Sequence, residues 1–182
     1  AKIARSYGAD VPFLRPKELS DDFTGTGAVV EHTMNYLKQQ GENYDFICTI
    51  YATAPFLDKK YLIEGFEKLK NSNAKNAFSC TSMPFPIQRT FKITQNERCE
   101  MFWSENFTKR SQDLEEAFQD AGQFYWTNLN IKSNEIIFGK DSIPIVLPRH
   151  LVQDIDTLED WIRAEFMYEA LIKSKNQNSE EK

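Results

Sequence analysis

Asp45-Phe46-Ile47-Cys48-Thr49-Ile50-Tyr51 is apolar at nearly every position and rich in β-branched and aromatic residues. A strand covered on both faces looks like this, because neither face meets water. Working outward, Ala52 to Leu57 is a loop containing Pro55. Asp58 to about Lys70 reads as a helix with Leu62, Phe66 and Leu69 on one stripe. Ala77 to Met83 is the next strand. Upstream, Val11 to Leu14 reads as a short strand broken by Pro12. A helix follows from about Ala28 to Gln40, with Val29, Val30, Thr33, Met34 and Leu37 on one face and Gly41 as its stop. Strands and helices alternating through short links predict an α/β fold with a mostly parallel sheet flanked by helices. In such sheets ligands bind beyond the carboxyl ends of the strands. Here those ends are Leu14 to Thr26, Tyr51 to Pro55 and the segment after Thr81.

Beyond Pro84 the pattern changes. Gln88 to Thr94 and Arg98 to Trp103 read as an antiparallel pair joined at Gln95-Asn96-Glu97. Leu114 to Gln119 reads as a short helix, and Gln123 to Ile131 as an aromatic-rich strand. Ile143 to Leu147 is another strand, ended by Pro148. A last helix is expected from Leu158 to about Lys173, with Leu158, Trp161, Ile162, Tyr168, Leu171 and Ile172 along one side. Residues 1–175 are expected to form a single domain, and 176–182 a flexible polar tail.

The chain has 182 residues, enough to bury a core without disulfide or metal staples. Its net charge of -5 and the lack of a Lys/Arg stripe argue against a nucleic-acid partner. No apolar run approaches membrane-spanning length, so no membrane partner is expected. Cys48, Cys80 and Cys99 match no zinc or redox spacing. A cytoplasmic, reducing setting is the expectation. Ala1 to Gly8 looks like the closing turns of a helix, with Gly8 as its stop. A chain that opens inside a helix is expected to be N-terminally truncated.

Four stretches carry chemistry. Asp154-Ile155-Asp156-Thr157 places two carboxylates on one side of an extended segment. Such a pair can hold Mg²⁺ and so serve a nucleotide phosphate. The same stretch also fits a capping box, Thr157 with Asp160, opening the last helix. Thr24-Gly25-Thr26-Gly27 precedes a helix, where backbone amides receive a base edge or an anion, or where the chain is simply capped. Arg110-Ser111-Gln112-Asp113 sets a guanidinium beside an amide, suited to a carboxylate or merely solvated. Tyr51 to Pro55 lies where ligands bind. His32 and His150 have no nucleophile motif around them, which leaves a hydrolase triad unsupported.

Taken together the segments resemble the acylneuraminate cytidylyltransferase family, on its pseudaminic acid branch. The resemblance rests on Arg15-Pro16-Lys17-Glu18-Leu19-Ser20-Asp21-Asp22, Tyr51-Ala52-Thr53-Ala54-Pro55-Phe56, Arg110-Ser111-Gln112-Asp113-Leu114, Asp120-Ala121-Gly122-Gln123-Phe124-Tyr125-Trp126 and Gln153-Asp154-Ile155-Asp156-Thr157. These occur in family order. Met83-Pro84-Phe85-Pro86-Ile87-Gln88 looks like the same branch. Tyr51 stands where sialic acid enzymes typically carry Gln, a departure that sets a sialic acid substrate in doubt.

The resemblance implies a Rossmann-like nucleotide-diphospho-sugar transferase fold and transfer of CMP from CTP to an acidic nine-carbon sugar, for surface or flagellar glycan synthesis. It implies Asp154 and Asp156 as Mg²⁺ ligands, with Arg15, Thr24, Gly25 and Thr26 against cytosine and ribose. Tyr51 would border the sugar pocket, and Arg110 and Gln112 would face the acidic sugar. It also implies a homodimer whose inserted antiparallel arm lies within residues 84–131. The family's opening strand and triphosphate loop have no counterpart here, so an impaired fragment is expected. The competing readings are a CMP-sialic acid synthetase, a metal-dependent sugar-nucleotide glycosyltransferase, and a non-catalytic dimerising fragment.

Overall fold

The computed structural model describes residues 1–180. The chain forms two compact units, Ala1–Tyr44 and Asp45–Lys182.

In the first unit, helix α1 (Lys2–Ser6) ends before Gly8, which takes the left-handed conformation at φ +86°. Helix α2 spans Thr26–Gln39, and Gly41 closes it at φ +83°. Both stops are glycines because a side chain at positive φ would crowd the backbone. The stretch from Val11 to Leu14 is irregular rather than the expected strand, since Pro12 donates no ladder hydrogen bond. Instead Phe13 packs against His32 and Tyr36 of α2, with ring centroids 5.1 and 4.7 Å apart. The Tyr36 hydroxyl donates to the Pro12 carbonyl at 3.3 Å.

The second unit contains β1 (Phe46–Ile50), α3 (Lys59–Lys70), β2 (Asn76–Ser82), β3 (Phe91–Ile93), β4 (Cys99–Met101), β5 (Phe118–Asn128), β6 (Ser142–Val146) and α4 (Leu158–Glu180). Four strands form one sheet in the order β1-β5-β2-β6. β5 runs antiparallel to both β1 and β2, and only β2 and β6 pair in parallel. The expected mostly parallel sheet is therefore corrected to a mixed sheet with one parallel pair. β1, β2 and β6 do point the same way, as the helical crossover through α3 requires. β5 inserts between β1 and β2, and every ladder it makes is antiparallel.

This insertion also corrects two local expectations. Residues 114–117 form no helix but lead into β5. Residues 123–128 are no exposed arm but central strand, with Gln123 and Phe124 almost wholly buried. The β3–β4 hairpin matches expectation and forms its own two-stranded sheet. Helix α4 runs past the expected Lys173 to Glu180, because no Gly or Pro interrupts it. Residues 181 and 182 of the expected tail lie outside the described residues.

The core lies between α3 and one face of the sheet. Asp58 caps α3 by accepting from the Lys60 amide at 2.9 Å. Tyr61, Gly65 and Leu69, one turn apart, are its buried stripe. They meet Ala77, Phe124, Ile145 and Leu147. Each large apolar side chain buried here contributes roughly 1.5–3 kcal/mol. A Cβ at Gly65 would lie 3.1 Å from Trp126 and 3.2 Å from Phe124, so any side chain there would force these rings to shift by a few tenths of an ångström. The Trp126 indole N–H donates to the Leu62 carbonyl at 3.0 Å and locks the contact.

Candidate active site

The site is built on an irregularity in β5. Phe78 faces Tyr125 and Cys80 faces Asp120, so Ser79 alone opposes residues 121–124. The surplus chain bulges around Gly122, which sits at φ +61°. The Ser79 hydroxyl replaces the lost ladder partners by accepting from the amides of Gln123 and Phe124 at 3.2 and 3.1 Å. The bulge turns Asp120 back on its own strand. One of its oxygens accepts from the Gly122 amide at 3.0 Å, the other from the Tyr125 hydroxyl at 2.5 Å.

The end of β1 is tied to the same bulge. The Tyr51 amide donates to the Gln123 carbonyl at 3.0 Å. The Tyr51 and Tyr125 rings lie 5.1 Å apart at a tilt of 49°. Burial raises the Tyr125 hydroxyl pKa, and the hydrogen bond to Asp120 and the nearby Tyr51 raise it further. Tyr125 therefore stays a protonated donor at any physiological pH.

Asp154 approaches from the other side. After β6, Leu147 bonds to β2 through its amide and the Cys80 carbonyl at 2.8 Å, and its own carbonyl accepts from the Thr81 hydroxyl at 2.8 Å. The Leu151 carbonyl accepts from the buried Gln123 amide group at 2.5 Å. Gln153 donates to Asp160 at 3.1 Å. Fixed at these points, the segment carries the Asp154 carboxylate to Gly122, 3.7 Å from where a Cβ would be. A side chain would be in ordinary contact there, so glycine is needed at this position for its positive φ rather than for space.

The electrostatics are one-sided. Partial burial raises the Asp154 pKa above the usual carboxylate range, and the negative charges of Asp156, Asp120 and Asp160 add to the shift. Asp160 itself belongs to the capping box: it accepts from the Thr157 amide at 3.0 Å and the Thr157 hydroxyl at 2.7 Å, which lowers its pKa. The cap and the acidic pair thus coexist. Among the described residues no three His, Cys, Asp or Glu side chains are close enough to hold a metal ion by themselves. Asp154 and Asp156 could still supply two oxygens to a hard cation. Mg²⁺ commonly takes one or two carboxylates and completes its shell with substrate phosphate and water.

The remaining expected residues fall elsewhere. Arg110 precedes the 3-10 turn Ser111–Asp113, and its guanidinium grips Asp113 through two bonds of 2.7 and 3.0 Å. This pairing raises its pKa. Gln112 is exposed on the same turn. A cleft of about 460 Å³ beside it is lined by Phe85, Arg89, Phe91 and Ser111. Arg15, Thr24, Gly25 and Thr26 belong to the first unit. There Asp21 accepts from the Thr24 amide and hydroxyl, each at 2.7 Å, which lowers the Asp21 pKa and fixes the approach to α2. Gly25 is the helix N-cap, and Thr26 the first residue of α2.

Sequence reasoning gave no role to Asp120, Gly122 or Tyr125 individually. The available signal was a glycine two residues after an aspartate within a strand-like run, the mark of a bulge.

No family model matches the chain. Over 168 residues, 92% of the chain and 72% of the relative, it is 41% identical to a pseudaminic acid cytidylyltransferase of Campylobacter jejuni subsp. jejuni serotype O:2. The chain belongs to the pseudaminic acid cytidylyltransferase family. Another relative, from Helicobacter pylori, is named both pseudaminic acid cytidylyltransferase and UDP-2,4-diacetamido-2,4,6-trideoxy-beta-L-altropyranose hydrolase. It is 34% identical over 155 residues, 84% of this chain and 29% of that protein. The post-translational flagellin modification protein B of Campylobacter coli is 26% identical over 182 residues, 97% of the chain and 74% of that protein. Against the Campylobacter jejuni relative, the bulge and the aspartate segment both lie within a chain matched over 92% of its length.

Proposed function

We propose that this chain activates pseudaminic acid with CTP, giving the CMP-sugar and pyrophosphate. The observation that supports this reading best is the meeting of Asp154 with the β5 bulge beside Tyr51, in a chain 41% identical to a pseudaminic acid cytidylyltransferase. Tyr51 follows the carboxyl end of β1, and the Asp154 segment follows β6, where ligands of open α/β sheets bind.

In the reaction the oxygen of the sugar's anomeric hydroxyl attacks the α-phosphorus of CTP, and its proton is released to solvent. The bond to the β-phosphate breaks, and pyrophosphate leaves with the electron pair. Asp154 and Asp156 would hold Mg²⁺, which when bound neutralises the triphosphate and polarises the α-phosphate. The raised Asp154 pKa supports this role, because a cation would relieve the repulsion from Asp156 and Asp120. Tyr51 borders the sugar, and Arg110 and Gln112 receive its carboxylate. Arg110 then shares its fork between that carboxylate and Asp113. The arrangement is read as a Rossmann-like nucleotide-diphospho-sugar transferase fold acting as a homodimer. The exposed Phe85, Phe91, Phe102 and Trp103 on and around the β3–β4 hairpin supply the dimer contact.

The test is pyrophosphate release by the full chain with CTP and Mg²⁺, comparing pseudaminic and sialic acids. Release with pseudaminic acid at least about tenfold faster in kcat/KM is expected, a difference of roughly 1.4 kcal/mol. Equal rates, or no release with either sugar, would overturn the reading.

A further inference from the structure

We infer that Asp120 is a positioning residue for the sugar-binding wall, holding Tyr125 and, through it, Tyr51 in the geometry that receives the sugar. The inference rests on the cytidylyltransferase reading and assigns a part of its site that the paired aspartates do not occupy.

Both Asp120 oxygens are committed within the protein, to the Gly122 amide at 3.0 Å and the Tyr125 hydroxyl at 2.5 Å. A carboxylate used this way acts as a clamp, because hydrogen bonds to two separate points of the strand fix direction as well as distance. The clamp spans the bulge. It joins Gly122, where Asp154 approaches, to Tyr125, whose ring faces Tyr51 at 5.1 Å. Tyr51 is held a second time through its amide on Gln123, so the two rings and the bulge move as one body.

The chemistry of the wall selects its occupant. The Asp120 carboxylate repels a triphosphate, whereas the phenol oxygens can accept from hydroxyl and amide N–H donors. The two tilted rings offer apolar faces to the C–H surface of a sugar. The wall therefore suits the neutral, hydroxyl- and amide-bearing body of the acidic sugar, while its carboxylate lies elsewhere. Burial and the Asp120 bond both keep the Tyr125 proton in place, so the hydroxyl remains a fixed donor.

Steady-state pyrophosphate release by the full chain, with CTP and sugar varied separately, tests the inference. Asp120→Ala should raise the sugar KM about tenfold, the scale of losing a hydrogen bond, with the CTP KM within about twofold of the parent. Tyr125→Phe should raise the sugar KM in the same direction. The double variant should be no worse than Asp120→Ala alone, since the two residues act as a unit. Asp120→Asn should recover most of the loss, because its oxygen can accept from Gly122 and its amide can donate to the Tyr125 oxygen. An unchanged sugar KM in Asp120→Ala overturns the inference. So does an equal rise in both KM values, the mark of a general structural role. An Asn variant as damaged as Ala overturns it too, since the charge and not the clamp would then matter. Absence of turnover in the parent protein would instead sink the cytidylyltransferase reading and this inference with it.

Discussion

Asp154 is a side chain whose surroundings oppose its own charge. Although Asp154 is exposed, local desolvation and the charges of Asp156 and Asp120 raise its pKa, an arrangement that stability alone would not favour. Asp156 is exposed and its removal leaves no hole, so Asp156→Ala should keep the fold by circular dichroism. It should also lower pyrophosphate release by at least about a hundredfold in excess Mg²⁺. Near-normal turnover would refute the metal role. The cysteines give a pH prediction. Burial pushes the Cys48 thiol up to about 12 and the Cys80 thiol up to about 11, from an ordinary 9.0. Below pH 9 both the folded and the unfolded chain keep these protons, and their contribution to stability is complete. Above it, only the unfolded chain ionises, and stability falls until the folded thiols titrate. Urea midpoints should therefore drop between pH 9 and 11. At pH 8 a maleimide should label the exposed Cys99 well ahead of the other two.

At the scale of elements, α3 illustrates packing overriding propensity. Gly65 lies mid-helix, where alanine would gain about 1 kcal/mol. Its Cβ would press on Trp126 and Phe124, however, and neither can give way easily. Trp126 is pinned by its bond to Leu62, and Phe124 is wholly buried. Overpacking typically costs about 1–3 kcal/mol. Gly65→Ala should thus lower the unfolding free energy by roughly 1 kcal/mol, the difference between those terms, as read from denaturant melts. A gain in stability would show that the ring contacts are softer than the geometry implies. The capping box at Thr157 and Asp160 is the opposite case: local sequence and tertiary need agree, because the cap that starts α4 also anchors Gln153 beside Asp154.

For the whole molecule, the two units differ in what they can hold together alone. No residue of 1–44 is buried, whereas the second unit has a continuous core around Leu69, Phe124 and Ile145. The hairpin aromatics extend this argument to assembly. Phe91, on a two-stranded sheet too small to be stable by itself, is 54% exposed, and Phe102, just beyond that sheet, is 58% exposed. A dimer would cover them. Replacing both by serine should shift the protein to a monomer in sedimentation velocity, while a change at the exposed Lys140 should not. A dimer that persists would move the interface elsewhere.

The local chemistry of the chain wrote its helices, its glycine stops at Gly8 and Gly41, the β3–β4 hairpin and the Thr157–Asp160 cap. Each of these depends on residues a few positions apart. The cytidylyltransferase family was legible too, since its motifs keep their order along the chain. The place of β5 was not legible. A buried run such as residues 121–128 reads the same whether its neighbours are parallel or antiparallel, because side-chain alternation records burial and not strand direction. The partnership of Asp120, Tyr125 and Asp154 was hidden for a related reason. It arises where β5 slips against Ser79, and a slip between strands about forty residues apart is set by which ladders close in space.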